Sequence, residues 1–289
     1  MVGYIRDEID SVPTMIGGLL RLVFHQCVGG RCMGCVDLTT TASDGLPRYI
    51  TRINDIWERV NSEGLGHISK ADFWILAYQT AVRVGCENIP DSHPEKALPD
   101  TMVFTYGRPD QQGDCPKQIF PVDNEDPVVY LIKEFGVTEK EAVAMMGAHT
   151  VGKAHYWASG YKYRWTPNQY WFDNEFFITL SKKSWYQQKI RKPSGATSHQ
   201  WSRQRFTDRY LMLSYDMMLY LDPAYKPGET LATCTHPKLA KENDTPCEYS
   251  KYKNIVLEFA RDNKLFIDVF VEAMRKVISQ GYSELRVPE

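Results

Sequence analysis

Apolar residues recur at helical spacing along most of this chain. Residues 15–27 form an apolar run that one arginine interrupts, and residues 49–60 carry isoleucines on one helical face. Ser69 can cap a helix that runs to about residue 84, and Thr138 with Glu141 forms a capping box that opens a helix reaching His155. Two amphipathic helices are predicted near the end of the chain, over residues 252–259 and 265–278.

The stretches between these helices predict loops. Residues 85–124 are rich in proline and glycine, and residues 182–205 are a polar segment between two aromatic-rich ones. We find no repeats and no convincing run of alternating strands. The sequence therefore predicts a mainly α fold.

Composition adds limits on function. The 289 residues are 43% apolar and 24% charged, which is typical of a soluble globular protein. A formal charge of −2 gives no indication of a nucleic acid partner. No apolar run reaches the ~20 residues that a membrane span needs, so no membrane partner is expected. Nothing in the sequence indicates the oligomeric state.

Seven cysteines are many for a cytosolic chain, and the odd number leaves at least one unpaired. Cys27, Cys32 and Cys35 lie within nine residues, while Cys234 and Cys247 bracket a polar loop. This spacing indicates short-range disulfides and a secreted, extracellular protein whose signal peptide is not part of the chain. An intracellular location is the alternative, and a zinc knuckle is the alternative for the first three cysteines.

Arg21 and His25 are four residues apart, so both project from one face of the first predicted helix. Burying them in so apolar a segment is costly unless they face a cavity or hydrogen-bonding partners. Such a pair could deprotonate one oxygen of a peroxide and stabilise negative charge on the other. A structural pair is the alternative interpretation.

His149 lies among small residues, in the segment Gly147-Ala148-His149-Thr150-Val151-Gly152. Small neighbours would let a flat macrocycle approach, and a neutral imidazole is a standard axial ligand of haem iron. By composition alone, a histidine packed in the core is the alternative.

Several ordered motifs together resemble the plant-type haem peroxidase superfamily, from about residue 14 to Tyr282. The segment Arg21-Leu22-Val23-Phe24-His25 matches its distal motif, and residues 146–152 match its proximal one. The other matching blocks lie in the same order, namely Ala71-Asp72-Phe73, Gly107-Arg108-Pro109-Asp110, Ser159-Gly160-Tyr161, Trp165, Phe172-Asp173-Asn174-Glu175-Phe176 and the run from Tyr210 to Asp216.

The resemblance implies a two-lobed helical fold, with one haem b between a distal lobe (about 1–135) and a proximal lobe (about 136–289). It is closest to the cytochrome c and ascorbate peroxidase branch, since Trp165 lies 16 residues after His149. His149 is then the proximal iron ligand, and Asp216 accepts hydrogen bonds from both the His149 ring and the Trp165 indole. Such a carboxylate makes the imidazole a stronger donor.

On the distal side, the resemblance assigns catalysis to Arg21, Phe24, His25 and Ser43, together with Trp165 and Asp216 on the other side. Hydrogen peroxide would be reduced to water through a ferryl intermediate, while a small phenol-like or other one-electron donor is oxidised. The expected haem contacts besides His149 are Phe24, Pro121, Lys153 and His155, the last two at the propionates. Asp72 and Arg108 are expected to form a buried structural ion pair.

The ascorbate peroxidase branch also carries a cation site. Its side-chain ligand positions fall on Thr150, Thr166, Asn168 and Asp173, with a backbone carbonyl from Trp171. One carboxylate among neutral oxygens favours potassium over calcium.

Some residues depart from the family pattern. Phe24 replaces the tryptophan of the cytochrome c and ascorbate enzymes, while Gln26 and Met33 replace carboxylates of a distal calcium site in secreted relatives. Ser43 stands where an asparagine usually orients the distal histidine, and Asp44 is the alternative for that role. Ala158 replaces an arginine that binds ascorbate. We therefore expect neither distal calcium nor ascorbate.

The resemblance to secreted peroxidases implies a Cys27–Cys32 disulfide, with Cys27–Cys35 as the alternative. Cys234–Cys247 and Cys86–Cys115 are the further expected pairs, leaving one free thiol. Two functions compete with a peroxidase, namely a haem-binding protein with lost or repurposed activity and a non-haem metalloenzyme that uses the same histidines.

Overall fold

The computed structural model describes residues 1–64, 67–93, 96–121, 125–205, 208–226 and 229–288. Across these ranges the mainly α prediction is confirmed. The helices are α1 (Val2–Ser11), α2 (Met15–Cys27), α3 (Pro47–Ser62), α4 (Lys70–Glu87), α5 (Pro127–Phe135), α6 (Glu139–Met146), α7 (Tyr156–Ser159), α8 (Glu175–Lys182), α9 (Ser214–Met218), α10 (Lys253–Phe259) and α11 (Asn263–Ser279).

Capping residues fix where the helices near the site begin. The Ser69 hydroxyl accepts a hydrogen bond from the Asp72 amide at the start of α4. Thr138 and Glu141 form the predicted capping box at the start of α6. Helix α2 packs on α4, and α6 packs on α11, so the main apolar core lies around these two pairs. No helix among the described residues is long and apolar enough to cross a membrane.

The predicted loop over residues 182–205 is wrong. It contains the hairpin of β3 (Tyr186–Arg191) and β4 (Thr197–Arg205), and the chain also has β1 (Lys153–Ala154), β2 (Tyr163–Arg164) and β5 (Asp208–Met212). These strands form one sheet in the order β1-β2-β5-β4-β3, in which only β2 and β5 pair in parallel. A smaller sheet pairs β6 (Leu221–Asp222) with β7 (Glu248–Tyr249).

Sequence analysis did not identify the hairpin because several of its buried positions are polar, although Ile190 and Trp201 are buried as well. Ser198, Gln200 and Ser202 on β4 are all buried. The Gln200 amide donates to the Ser202 hydroxyl at 2.8 Å, and that hydroxyl donates to Gln188 of β3 at 2.7 Å. Satisfied polar groups can replace apolar ones inside a sheet, so no apolar alternation appears in the sequence.

The helix predicted to continue from Thr138 to His155 is also wrong. Helix α6 ends at Met146, and Gly147–Thr150 tightens into a 3₁₀ helix. Gly152 then takes a φ of +84°, which ends helical backbone, and β1 follows directly. His149 therefore lies in the 3₁₀ turn that follows α6, three residues before the chain leaves helical backbone at Gly152.

The described residues form three disulfides. Cys27–Cys32 and Cys234–Cys247 confirm two predictions. The predicted Cys86–Cys115 pair is wrong, because Cys115 bonds to Cys35 and Cys86 is a buried free thiol on α4. All three clustered cysteines are in disulfides, which contradicts the zinc knuckle.

The predicted ion pair of Asp72 and Arg108 is present and buried, with 2.6 Å between Arg108 Nη1 and Asp72 Oδ1. Arg108 Nε donates to the Ile278 carbonyl at 2.8 Å, and the Gly107 and Arg108 amides donate to Asp72 Oδ2. The pair therefore ties α4, the segment before residue 110 and α11 together.

Candidate active site

A cavity of about 650 Å³ lies between α2 and the 3₁₀ helix Gly147–Thr150. Arg21, Phe24 and His25 line one side, and His149 with Trp165 lines the other. This volume falls within the range of about 300–1,000 Å³ typical of small-molecule and cofactor sites. The structure thus brings the two histidine motifs, over a hundred residues apart in sequence, to one cavity.

The proximal side is built on Asp216, which is fully buried at the first turn of α9. Its Oδ1 accepts from His149 Nδ1 at 2.7 Å, and its Oδ2 accepts from Trp165 Nε1 at 2.7 Å. The Leu213 amide donates to the same Oδ2. Both side-chain hydrogen bonds expected from the resemblance are therefore present.

This arrangement fixes the tautomer of His149. Since the carboxylate can only accept, Nδ1 carries the proton, and in the neutral imidazole Nε2 then has the lone pair. The indole of Trp165 stacks on the imidazole with 4.6 Å between ring centroids, which holds the ring plane. The His149 side chain is 34% exposed, toward the cavity that it lines. Nε2 is thus available as a ligand to iron.

On the distal side, Arg21 is held by backbone carbonyls. Its Nη1 donates to the Asp44 carbonyl at 2.9 Å, and its Nη2 donates to the Ala42 carbonyl. Burial lowers the pKa of Arg21 to about 10, so the guanidinium remains a cation at neutral pH. Burial, and then the charge of Arg21, lowers the pKa of His25 well below its usual value. His25 is therefore a neutral base beside a fixed positive charge.

Ser43 lies in a 3₁₀ helix, Thr41–Ser43, and its Oγ is 3.4 Å from His25 Nδ1. The side-chain hydroxyl thus occupies the position expected of a group that orients the distal ring. Asp44, the alternative for this role, offers its backbone carbonyl to Arg21 instead. One short segment therefore contacts both distal residues.

Two further residues contact His25 that sequence analysis did not identify. The Phe120 ring lies 4.4 Å from the imidazole by ring centroids, and the Gln118 amide donates to the His25 carbonyl. The disulfide of Cys35 with Cys115 anchors this segment nearby. No sequence signal indicates these contacts, because about ninety residues separate them from His25.

The cavity walls fit a flat macrocycle. A Cβ added to Gly17 of α2 would lie 3.1 Å from the Gly152 Cα. The backbones of α2 and of the turn at Gly152 therefore approach each other closely, with no side chain between them at this point. Phe24, Pro121, Lys153 and His155 all line the cavity, as expected of haem contacts. Together with the free Nε2 of His149, this donor set is suited to haem.

Arg48 is a cationic residue of the cavity wall that sequence analysis missed. Its Nη2 lies 3.1 Å from His155 Nε2, and burial followed by the charges of Arg48 and Lys153 lowers the pKa of His155. His155 is therefore neutral near pH 7, and positive charge in this part of the wall comes from Arg48 and Lys153.

Hydrogen bonds link three of the residues expected at a cation site, Thr150, Thr166 and Asp173, whereas the Asn168 side-chain oxygen accepts from the Tyr170 amide. Thr150 Oγ1 donates to Asp173 Oδ1 at 2.8 Å, and Thr166 Oγ1 approaches the carbonyls of Thr150 at 2.7 Å and Asn168 at 3.1 Å. Burial raises the pKa of Asp173 to about 6. Trp171, the fifth expected ligand, follows closely in the chain and packs its ring near His93.

Within the described ranges there is no cluster of three His, Cys, Asp or Glu side chains that could hold a metal ion. A site made mainly of hydroxyl and carbonyl oxygens would not contain such a cluster.

Comparisons with known proteins agree with this geometry. A family model described as peroxidase matches residues 3–233. Cytosolic L-ascorbate peroxidase 1 of Oryza sativa subsp. japonica is 26% identical over 258 residues, which are 86% of this chain and 74% of the rice protein. Mitochondrial cytochrome c peroxidase of Aspergillus fumigatus is 27% identical over 287 residues, 95% of this chain and 66% of the fungal protein.

Peroxidase 6 of Arabidopsis thaliana is 24% identical over 298 aligned residues, 96% of this chain and 81% of the plant protein. The family model spans most of the chain, and the relatives include ascorbate, cytochrome c and plant peroxidases. The chain therefore belongs to the peroxidase family, within the plant-type superfamily.

Proposed function

We propose that this protein binds one haem b through Nε2 of His149 and reduces hydrogen peroxide to water, while it oxidises a small organic donor. The observation that carries the proposal is one cavity with two opposed histidines. One of them is backed by a buried carboxylate, and the other is a neutral base beside a cation.

The distal residues handle the proton and the charge of peroxide. His25 would accept a proton from hydrogen peroxide bound in the cavity, since its low pKa keeps the imidazole unprotonated. The guanidinium of Arg21 stabilises negative charge on the oxygen that departs. Ser43 orients the His25 ring. Bound haem supplies the iron at which the O–O bond is cleaved and the capacity to store oxidising equivalents.

The proximal residues tune the ligand. Asp216 accepts a hydrogen bond from Nδ1 of His149 and so increases the electron-donating power of its Nε2. Trp165 shares the carboxylate and stacks on the imidazole, which suits it to pass an electron toward the site. Lys153, with His155 and Arg48 beside it, provides positive charge for the haem propionates.

We also propose a potassium ion at Thr150, Thr166, Asn168, Trp171 and Asp173. Asp173 supports this, because a buried carboxylate with a raised pKa gains from a neighbouring cation. Exchange of potassium for a large organic cation by dialysis should then change the spectrum of the proximal ligand.

Three disulfides support a proposed location in an oxidising, extracellular compartment. Peptide mass mapping of the native protein tests this. Seven free thiols would contradict both the location and the disulfides.

The decisive experiment on haem binding is His149→Ala. We expect the native haem absorption spectrum to be lost or shifted to another coordination state. His67→Ala, the same change at an exposed residue, is the control and should leave the spectrum intact. An unchanged spectrum for His149→Ala would contradict the ligand assignment.

A holoprotein that binds haem but shows no spectral reaction with peroxide would favour the alternative function, a haem-binding protein without peroxidase activity. Absence of any Soret band after reconstitution would contradict haem binding itself.

A further inference from the structure

The β3–β4 hairpin and the residues just before it differ in charge from the rest of the chain. Residues 176–205 contain four lysines and three arginines but no aspartate or glutamate, whereas the whole chain has a formal charge of −2. The other residues are therefore net acidic, and positive charge is concentrated in one continuous segment. We call residues 182–205, which contain all seven of these basic residues, the cationic hairpin.

Basic side chains of the cationic hairpin are accessible to a partner. Lys182, Lys189 and Arg191 are all exposed. Within the part of the chain that the structure describes, none of the ion pairs contains any of these three residues. Exposed basic residues elsewhere do form such pairs, as Arg6 does with Glu87. The charge of the hairpin is therefore available to an external anion.

The position of β3 sets two of these charges along the edge of the sheet. β3 is the last strand in the sheet order. Lys189 and Arg191 alternate with the buried Ile190, so their side chains share one face about 7 Å apart. Charges on an edge strand also prevent pairing with another sheet. That role does not account for the lack of acidic residues in the whole segment.

A second basic residue with an adjacent ring is hydrogen-bonded to the cationic hairpin. The exposed Lys162 donates from its backbone amide to Gln200 Oε1 of β4 at 3.0 Å, and Gln200 Nε2 donates to the Lys162 carbonyl at 3.3 Å. Lys162 Nζ lies 4.5 Å from the ring centroid of Tyr156, which is 44% exposed. An exposed phenol ring can pack on the apolar face of a sugar ring and hydrogen-bond through its hydroxyl. A linear polymer is long enough to contact both segments.

The burial of the apolar residues of this segment disfavours a membrane as the partner. Trp185, Ile190 and Trp201 are all buried. Binding in a membrane interface needs an apolar face that enters the lipid, in addition to positive charge. Nucleic acids carry the required negative charge, but the three disulfides support an extracellular location. Acidic polysaccharides are abundant polyanions outside cells.

From these observations we infer that the cationic hairpin binds an acidic polysaccharide, whose uronate or sulfate groups pair with Lys189 and Arg191. A surface of one charge attracts a polymer of the opposite charge without requiring a particular sequence in it. Binding of this kind would hold the protein on a polysaccharide matrix. The inference goes beyond the peroxidase reaction and rests on the proposed extracellular location.

The test is isothermal titration calorimetry of the holoprotein with polygalacturonate, dextran sulfate and uncharged dextran at low ionic strength. We expect one or both polyanions to bind and dextran not to bind. Binding should be lost at high salt, since the screening length falls to about 3 Å at 1 M. Binding of polygalacturonate alone would support the inference with carboxylates as the recognised groups, and binding of dextran sulfate alone would support it with sulfates.

The double variant Lys189→Glu/Arg191→Glu reverses both charges on β3. We expect it to weaken binding roughly tenfold, because exposed charge pairs are lost and repulsion replaces them. Lys133→Glu/Arg261→Glu is the matched control, since it changes the net charge equally at exposed residues outside the hairpin, and it should bind like the parent. Both double variants should react with peroxide as the parent does, because none of the four residues lines the cavity.

Three results would overturn the inference. The first is no binding of either polyanion by the parent, and the second is equal binding by the parent and Lys189→Glu/Arg191→Glu. The third is tighter binding to duplex DNA or to phosphatidylserine vesicles than to both polyanions. None of these results bears on the proposed peroxidase function, because the titrations contain no peroxide. A holoprotein that binds polysaccharide but does not react with peroxide would overturn that function alone.

Discussion

The Ser43 Oγ lies 3.4 Å from His25 Nδ1, which is long for a hydrogen bond that must hold an imidazole in one orientation. A hydroxyl also rotates, whereas an amide oxygen is held in a plane. We therefore expect Ser43→Ala to slow the reaction of the holoprotein with peroxide and Ser43→Asn to preserve or increase its rate. His25→Ala should slow it by about 10²–10⁴-fold, the usual contribution of a general base. Stopped-flow absorption with peroxide alone measures all three.

Equal rates for Ser43→Ala and the parent would assign the orienting role to another group, with Phe120 the next candidate by contact. Equal rates for His25→Ala and the parent would contradict the acid–base mechanism itself.

The burial of His25 also predicts a pH dependence. A free imidazole is half protonated near pH 6.5, at about its ordinary pKa. Burial lowers the pKa of His25 well below that value, so the base stays unprotonated at pH 6.5 and is lost only as the pH falls further. We expect the peroxide rate constant to be flat from neutral pH through 6.5 and to fall at more acidic pH. A half-maximal rate at pH 6.5 in stopped-flow measurements would contradict this assignment.

At the scale of elements, the segment from Cys115 to Pro121 links a disulfide to the distal base. Gln118 donates to the His25 carbonyl and Phe120 packs on its ring. Replacing both Cys35 and Cys115 by serine removes a bridge across 80 residues, for which we expect a loss of about 2–4 kcal/mol in unfolding free energy. The peroxide rate should fall as well, because the packing on His25 loosens.

The matched control is the double replacement of Cys27 and Cys32, whose bridge spans only five residues. Its loss should cost less in urea unfolding, since a short loop constrains the unfolded chain less. Equal losses for the two double variants would contradict the loop argument.

How far the sequence predicts these elements depends on what organises each of them. Helices α2, α4 and α6 are predictable because apolar periodicity and local caps act within a few residues. The β3–β4 hairpin is not, because most of the buried side chains on one face are polar and its order depends on partners such as Gln188 and Ser202. The contacts of Asp216 with His149 and Trp165 were implied by the resemblance to the peroxidase superfamily, and both are present.

The partner of Cys115 was not predictable from the sequence. Spacing along the chain says nothing about which of two distant cysteines the fold brings near. The place of Arg48 in the cavity wall was not predictable for the same reason, since 107 residues separate it from His155, which it contacts.

At the scale of the whole molecule, the pair of Asp72 and Arg108 joins α4 to α11. Asp72→Asn leaves the guanidinium buried without its charge partner, so we expect a loss of about 3–5 kcal/mol in unfolding free energy. Glu87→Gln breaks the exposed pair with Arg6 and should cost at most about 1 kcal/mol. Urea denaturation of both variants makes the comparison, and similar losses would contradict the role given to the buried pair.

The odd cysteine has a consequence for how the protein matures. A thiol attacks a disulfide as the thiolate, and burial on α4 raises the pKa of Cys86. In the folded chain the Cys86 thiol is therefore protonated, and burial shields it from oxidants. Disulfide rearrangement would then stop once the chain has folded, because the only free thiol that could exchange with the three disulfides is buried.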